Sequence, residues 1–99
     1  MPKAYMIADV TVDDPERYVE YQKNVPALVA KHGAKYLVRA STVHPVEGDL
    51  GISRVTVVEF ESMEAARRFF ESPEYAPLLK LRKEVTRSRV ALVEGFTAP

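Results

Sequence analysis

The 99-residue chain contains no cysteine, which removes disulfides, thiol nucleophiles and thiolate metal sites. It has no excess charge either: 14 basic and 14 acidic residues leave a formal net charge of zero. A nucleic-acid-binding domain wants a basic face, so that partner is not expected. Little charge repulsion between copies leaves self-association open. No apolar run approaches 18 residues, so no membrane span is expected. The opening MPKAYMIADV has one lysine and no long apolar segment before Asp9, and does not read as a signal peptide. A cytoplasmic location is the default expectation. The two histidines, His32 and His44, show no HxxxH or HxH spacing. No metal site is therefore expected, and His32 alone does not support haem. Gly-rich phosphate loops and nucleophile elbows are also missing, so no cofactor is expected.

What is there reads as one domain over residues 1–99. A chain of this size buries roughly 60–68% of its unfolded surface, so burial against a partner would help it. The stretch Arg54 to Arg82 sets the architecture: the β-branched run Val55-Thr56-Val57-Val58 leads to a helix capped by Ser62 over Met63–Glu71. A second helical start follows at Ser72-Pro73, with Tyr75, Leu78, Leu79 and Arg82 at helical spacing. Upstream, Ala4 to Val12 alternates as a strand, Met6, Ala8, Val10 and Val12 against Tyr5, Ile7, Asp9 and Thr11. Asp13-Asp14-Pro15 opens a helix whose stripe is Tyr18, Tyr21, Val25, Leu28, Val29 and His32, and Gly33 ends it. Pro26 lies inside that pattern and is expected to kink or split the helix near Asn24–Val25. Lys35 to Val43 is a strand with Tyr36, Val38 and Ala40 on one face and Leu37, Arg39 and Ser41 on the other. A loop carrying Glu47-Gly48-Asp49 follows, and Ser88 to Phe96 forms the last strand. The order β-α-β-β-α-β, with the second helix in two pieces, is the α+β ferredoxin-like plan: a four-stranded antiparallel sheet, central first and third strands, and helices on one face.

The other sheet face then lacks a cover within the chain. Tyr5, Ile7, Leu37, Val55 and Val57 would make a large exposed apolar patch, and a second copy packed sheet against sheet is the economical answer. Asp9, Arg39 and Glu59 fall on that face on neighbouring strands, joined by Glu94 if the last strand turns the Val90/Leu92/Glu94 face that way. Carboxylates around one arginine would have shifted pKa values, as active sites often do, or would simply pair with one another or across a dimer.

The segments YMIADVTVDDPERYVEYQKNVPALVAKHGAKYLVR, VEGD, VVEFESMEAARRFFESPEYAPLLKLR and VALVEG together resemble the DUF1330 family, a domain of unknown function in the dimeric α/β-barrel superfamily. Its most specific pieces here are Ser72-Pro73-Glu74-Tyr75 leading to Leu78-Leu79 and Arg82, and Glu47-Gly48-Asp49. The resemblance implies two ferredoxin-like protomers closing their sheets into a barrel, and no assigned activity. Two departures touch the expected pocket rim: Ala40-Ser41 follows Arg39 where relatives often have glycines, and Leu50 follows the EGD element where an aromatic is common.

Three functional readings follow. One is a small-molecule-binding protein working as a cofactor-independent monooxygenase- or isomerase-like enzyme between sheet and helices, by analogy with the superfamily. The others are a ligand-binding module without turnover and a structural homodimer. For the first, His32 or Glu59 would serve as base and Arg39 or Arg82 would hold an anion. Asp9, Tyr21, Glu47, Tyr75 and Arg82 are the further ligand-binding candidates. His32 has a plainer role as a helix C-terminal imidazole, and Arg82 and Tyr75 have one as a paired charge and a packed ring.

Overall fold

The computed structural model describes residues 2–98. Four strands and three helices follow one another as β1 (Ala4–Val12), α1 (Pro15–Lys31), β2 (Lys35–Thr42), β3 (Arg54–Phe60), α2 (Met63–Glu71), α3 (Ala76–Val85) and β4 (Thr86–Glu94). The sheet order is β2-β3-β1-β4, all pairs antiparallel, so β1 and β3 are central as the ferredoxin-like plan requires. Register sets the faces: Ala4, Met6 and Ala8 stand opposite Phe60, Val58 and Thr56 on β3 and opposite Glu94, Leu92 and Val90 on β4. That face carries the helices, and its core joins Ala4, Val58 and Phe60 to Val25, Leu28 and Val29 of α1 and to Ala66 and Phe69 of α2.

Local chemistry explains the helix ends. The Asp14 side chain accepts from the Arg17 amide at the start of α1, and Ser62 accepts from Ala65 at the start of α2, each satisfying a free first-turn donor. Gly33 takes the left-handed turn (φ 70°) after α1. Ser72 closes α2 by donating to the Phe69 carbonyl (2.8 Å) and accepting from the Tyr75 amide (3.2 Å). The second helix is in two pieces, as expected, but α3 begins at Ala76, one turn later than Ser72-Pro73 suggests. It runs directly into β4, where the Thr86 hydroxyl donates to the Arg82 carbonyl (2.6 Å). That cap starts β4 two residues earlier than its alternation indicates.

Two expectations are corrected. Pro26 does not split α1, which is continuous from Pro15 to Lys31. Proline removes only its own bond to the carbonyl four residues back. Val25 on one side of it and Leu28 and Val29 on the other are all buried, so packing holds both halves in one continuous helix. The second correction concerns β2. Its ladder to β3 shifts register twice, between Tyr36 and Val38 and between Val38 and Ser41. Each extra residue reverses the inward–outward alternation. Arg39 therefore leaves the open face, where strict alternation puts it beside Asp9 and Glu59, and lies on the helix-covered side.

The bulge leaves its mark on Ala40, which sits at φ 48°, the left-handed region where a Cβ is disfavoured by about 1–2 kcal/mol. Its amide is held by the Thr56 hydroxyl (2.9 Å). Ala40→Gly relieves that strain while gaining unfolded-state entropy, so it is expected to raise stability by up to about 1 kcal/mol. Urea denaturation checks this: the midpoint should rise with an unchanged slope. A lower midpoint would mean that the left-handed turn carries no strain.

Candidate functional site

A cavity of about 490 Å³ opens between α1 and the helix-covered face of the sheet. Its volume lies within the usual range for small-molecule sites. Val25 and Val29 of α1, Val58 and Phe60 of β3 and Phe69 of α2 give it an apolar wall. The polar lining is one-sided: Tyr18, Tyr21, Tyr36 and Tyr75 supply hydroxyls, Arg39, Arg54 and Arg82 supply guanidiniums, and among the described residues no carboxylate, histidine or lysine faces it.

Helical spacing builds one wall. Tyr18 and Tyr21 stack on α1 with ring centroids 5.3 Å apart, and the Tyr21 hydroxyl lies 2.8 Å from that of Tyr75. Tyr75 is fully buried by Phe69 and Phe70, whose ring centroids are 4.7 and 5.4 Å from its own. Burial raises the Tyr21 pKa far above the usual 10, and the Tyr75 hydroxyl adds to the effect. Tyr18 and Tyr36 are raised as well, chiefly by burial. All three are therefore neutral donors at physiological pH. Two hydroxyls sharing one hydrogen bond also leave one hydroxyl hydrogen of the Tyr21–Tyr75 pair for another acceptor.

Arg82 is the unusual group. It is only 6% exposed and donates to the Ser88 hydroxyl, yet among the described residues it makes no ion pair. A buried cation without a counter-charge is costly. Lining the cavity gives its remaining donors somewhere to point. Arg39 reaches in from β2: its guanidinium carbon lies 5.0 Å from the Tyr36 ring centroid, and it donates to the Gln22 carbonyl on α1 (3.4 Å).

Of the residues singled out in the sequence, Tyr21, Arg39, Tyr75 and Arg82 come together at this cavity. The others do not. Asp9 is on the open sheet face in a 2.6 Å ion pair with Arg89. Glu59, on the same face, is held by Lys3 (3.4 Å), Lys35 (3.6 Å) and the Tyr5 hydroxyl (3.4 Å). The expected cluster of Asp9, Glu59 and Arg39 is therefore absent, because the β2 bulges remove its arginine. Glu94 stands opposite Ala4 on the other face and is exposed. His32 is the C-cap of α1 and meets the Phe69 ring edge-on at 5.4 Å. Glu47 is exposed in the β2–β3 loop, where the Asp49 carboxylate accepts from the Gly51 amide (2.8 Å) to make a turn. Tyr18, Tyr36, Gln22 and Arg54 also line the cavity. The readable signal for Tyr18 was its place beside Tyr21 on the helical stripe, with a hydroxyl that an apolar core has no use for; no such signal marked Tyr36, Gln22 or Arg54. Among the described residues no group of three potential metal ligands converges, and no helix is long and apolar enough to cross a membrane.

The chain belongs to the family described as Domain of unknown function (DUF1330), whose model matches residues 3–96. No curated protein matches it. Among solved structures it is similar to a protein of unknown function from Rhodopseudomonas palustris, at 16% identity and TM-score 0.70, covering 98% of this chain and 85% of that one. It is also similar to SnoaB, a cofactor-independent oxygenase from Streptomyces nogalater, at 20% identity and TM-score 0.64, covering 97% and 92%. A third, from Bacteroides thetaiotaomicron, is described as of unknown function and a possible oxidoreductase; identity is 15%, TM-score 0.67 and coverage 94% and 97%. At these identities the likeness establishes the shared fold alone.

The Glu59 environment yields a prediction. Desolvation pushes its pKa up, but the Lys3 and Lys35 ammoniums outweigh it and the carboxyl lies below its usual 4.5. A lowered folded pKa means stability that is present above the unfolded value and lost as pH falls through the folded one. Between pH 6 and pH 3, measured by urea midpoint, Glu59→Gln should therefore lose less stability than the natural protein. Equal losses would mean that the Lys3–Glu59–Lys35 cluster contributes nothing.

Proposed function

We propose that this DUF1330 protein binds a small organic anion in the cavity between sheet and helices, and does so as a homodimer. One observation carries the reading: a half-apolar cavity lined by tyrosine hydroxyls and guanidiniums, with no carboxylate among the described residues to neutralise them. Arg82 offers a rigid fork to a carboxylate or related oxyanion. The Tyr21–Tyr75 pair adds a neutral donor that an anion accepts from. The apolar wall of Val25, Val29, Val58 and Phe60 suits a flat hydrocarbon body. Asp9 and Glu47 have no part in this binding set.

Turnover in the cavity, in the manner of a cofactor-independent monooxygenase or isomerase, would have to proceed without a side-chain base. His32 and Glu59, the two candidates for that role, lie elsewhere in the protomer. The cavity's donors suit holding a negative charge that the ligand brings or develops. A plain binding role asks nothing more of it.

The dimer rests on the open sheet face. Leu37 is 49% exposed and Val93 44% exposed there, beside the half-buried Ile7, Val55 and Val57. Such a surface on a small protein calls for a second copy. A structural homodimer whose Asp9–Arg89 and Lys3–Glu59 pairs fix the register is the reading that this face favours over a ligand role.

Titration calorimetry with 2-naphthoate and its neutral isostere 2-naphthamide tests the binding reading, with native mass spectrometry reporting the oligomer. The carboxylate should bind at least about tenfold more tightly, and Arg82→Lys, which keeps the charge but loses the fork, should weaken it by roughly tenfold. Equal binding of the two probes would remove the anion. No binding of either would remove the cavity as a site, and a monomer would remove the sheet-to-sheet dimer.

A further inference from the structure

Pro26 is a poor choice for the middle of a helix. It removes one backbone hydrogen bond and crowds the carbonyl four residues back. That carbonyl belongs to Gln22, and Gln22 lines the cavity, whereas Pro26 does not. With any other residue at 26, the Gln22 carbonyl would accept the helical amide at that position. Here it accepts instead from the Arg39 guanidinium across the cavity (3.4 Å). Arg39 is an exposed side chain on an edge strand and, among the described residues, makes no ion pair. The Tyr36 ring beneath it, 5.0 Å away, and the Gln22 carbonyl are the groups that orient it. A long side chain with so few restraints samples many rotamers unless something holds it.

We propose that Pro26, without touching ligand, is a positioning residue for Arg39. By keeping the Gln22 carbonyl out of the helical ladder, it gives the guanidinium a fixed acceptor on α1. Arg39 then bridges from β2 to α1 with its other donors aimed at an oxyanion in the cavity. The inference rests on the anion-binding reading above. It explains two features together: a proline retained inside an unbroken helix, and a doubly bulged strand that turns Arg39 towards that same helix. The helix gives up stability and the site gains a second, pre-set cation.

The test is a double-mutant cycle on the full chain with 2-naphthoate as probe. Pro26→Ala restores the helical bond and should raise the melting temperature, so a failure to fold is not expected. It should nevertheless weaken 2-naphthoate roughly three- to tenfold, as should Arg39→Ala, and the double variant should be no weaker than Arg39→Ala alone. A purely structural proline would raise the melting temperature and leave affinity unchanged, which overturns the proposal but not the cavity. Pro26→Ala weakening binding equally in the Arg39→Ala background would also overturn it, since the proline would then act through helix shape. Failure of the natural protein to bind either 2-naphthoate or 2-naphthamide removes the anion site and this role with it. A ligand-free readout separates the two further. Arg39→Ala should move the Gln22 carbonyl ¹³C resonance in the natural background and leave it unmoved in Pro26→Ala. No movement in the natural background means that Arg39 is not held there.

Discussion

Phe69 is the contact on which the rest of the molecule depends. Its ring meets Phe60 of the sheet at 5.5 Å, Phe70 at 5.2 Å, Tyr75 at 4.7 Å and His32 at 5.4 Å, so α1, α2, β3 and the turn before α3 all close on one side chain. Offset and edge-on aromatic pairs add about 0.5–1.5 kcal/mol each beyond their buried area, and burial of the rings themselves supplies more. The cluster also has a functional consequence. It pins the Tyr75 ring in the dry core and leaves only the hydroxyl at the cavity wall, where it meets Tyr21. A rigid, buried ring is what makes that hydroxyl a fixed hydrogen-bond partner for Tyr21.

The two faces of the sheet follow opposite electrostatic rules. On the open face, charges are matched locally: Asp9 with Arg89, Asp13 with Arg87, Glu59 with Lys3 and Lys35. On the covered face the arginines at the cavity are left without acids while tyrosine hydroxyls gather around them. Exposed pairs of the first kind contribute little to stability. A nearly buried guanidinium with no counter-ion is disfavoured on its own and makes physical sense where an incoming acceptor completes it.

Local rules are broken on both sides of Arg39. Ala40 sits in a left-handed conformation that glycine would adopt freely, and Pro26 interrupts the backbone ladder of α1. Elsewhere the chain is locally consistent, with polar caps on α1 and α2, a glycine at the exit of α1 and alternation along β1. Departures from local preference tend to gather where a structure does something besides fold, and here both converge on the cavity.

Period and punctuation were enough to read the scaffold. The alternation of β1, the cap residues Asp14 and Ser62, Gly33 and the break at Ser72-Pro73 are local signals, and local signals survive without tertiary information. They also placed Tyr21, Tyr75 and Arg82 on buried helical stripes. Arg39 could not be placed correctly that way. A β-bulge is a property of the pairing between two strands, and one extra residue in β2 reverses the side chains beyond it until the second bulge restores them. Pro26 had the same difficulty, since its effect depends on whether the residues flanking it are buried against the sheet. The sequence by itself determined the element order, the one-sided covering of the sheet and the family resemblance, because each rests on spacing along the chain. Which polar residues share a cavity was decided only by the tertiary structure, because strand register and helix packing, not distance in sequence, bring their side chains together.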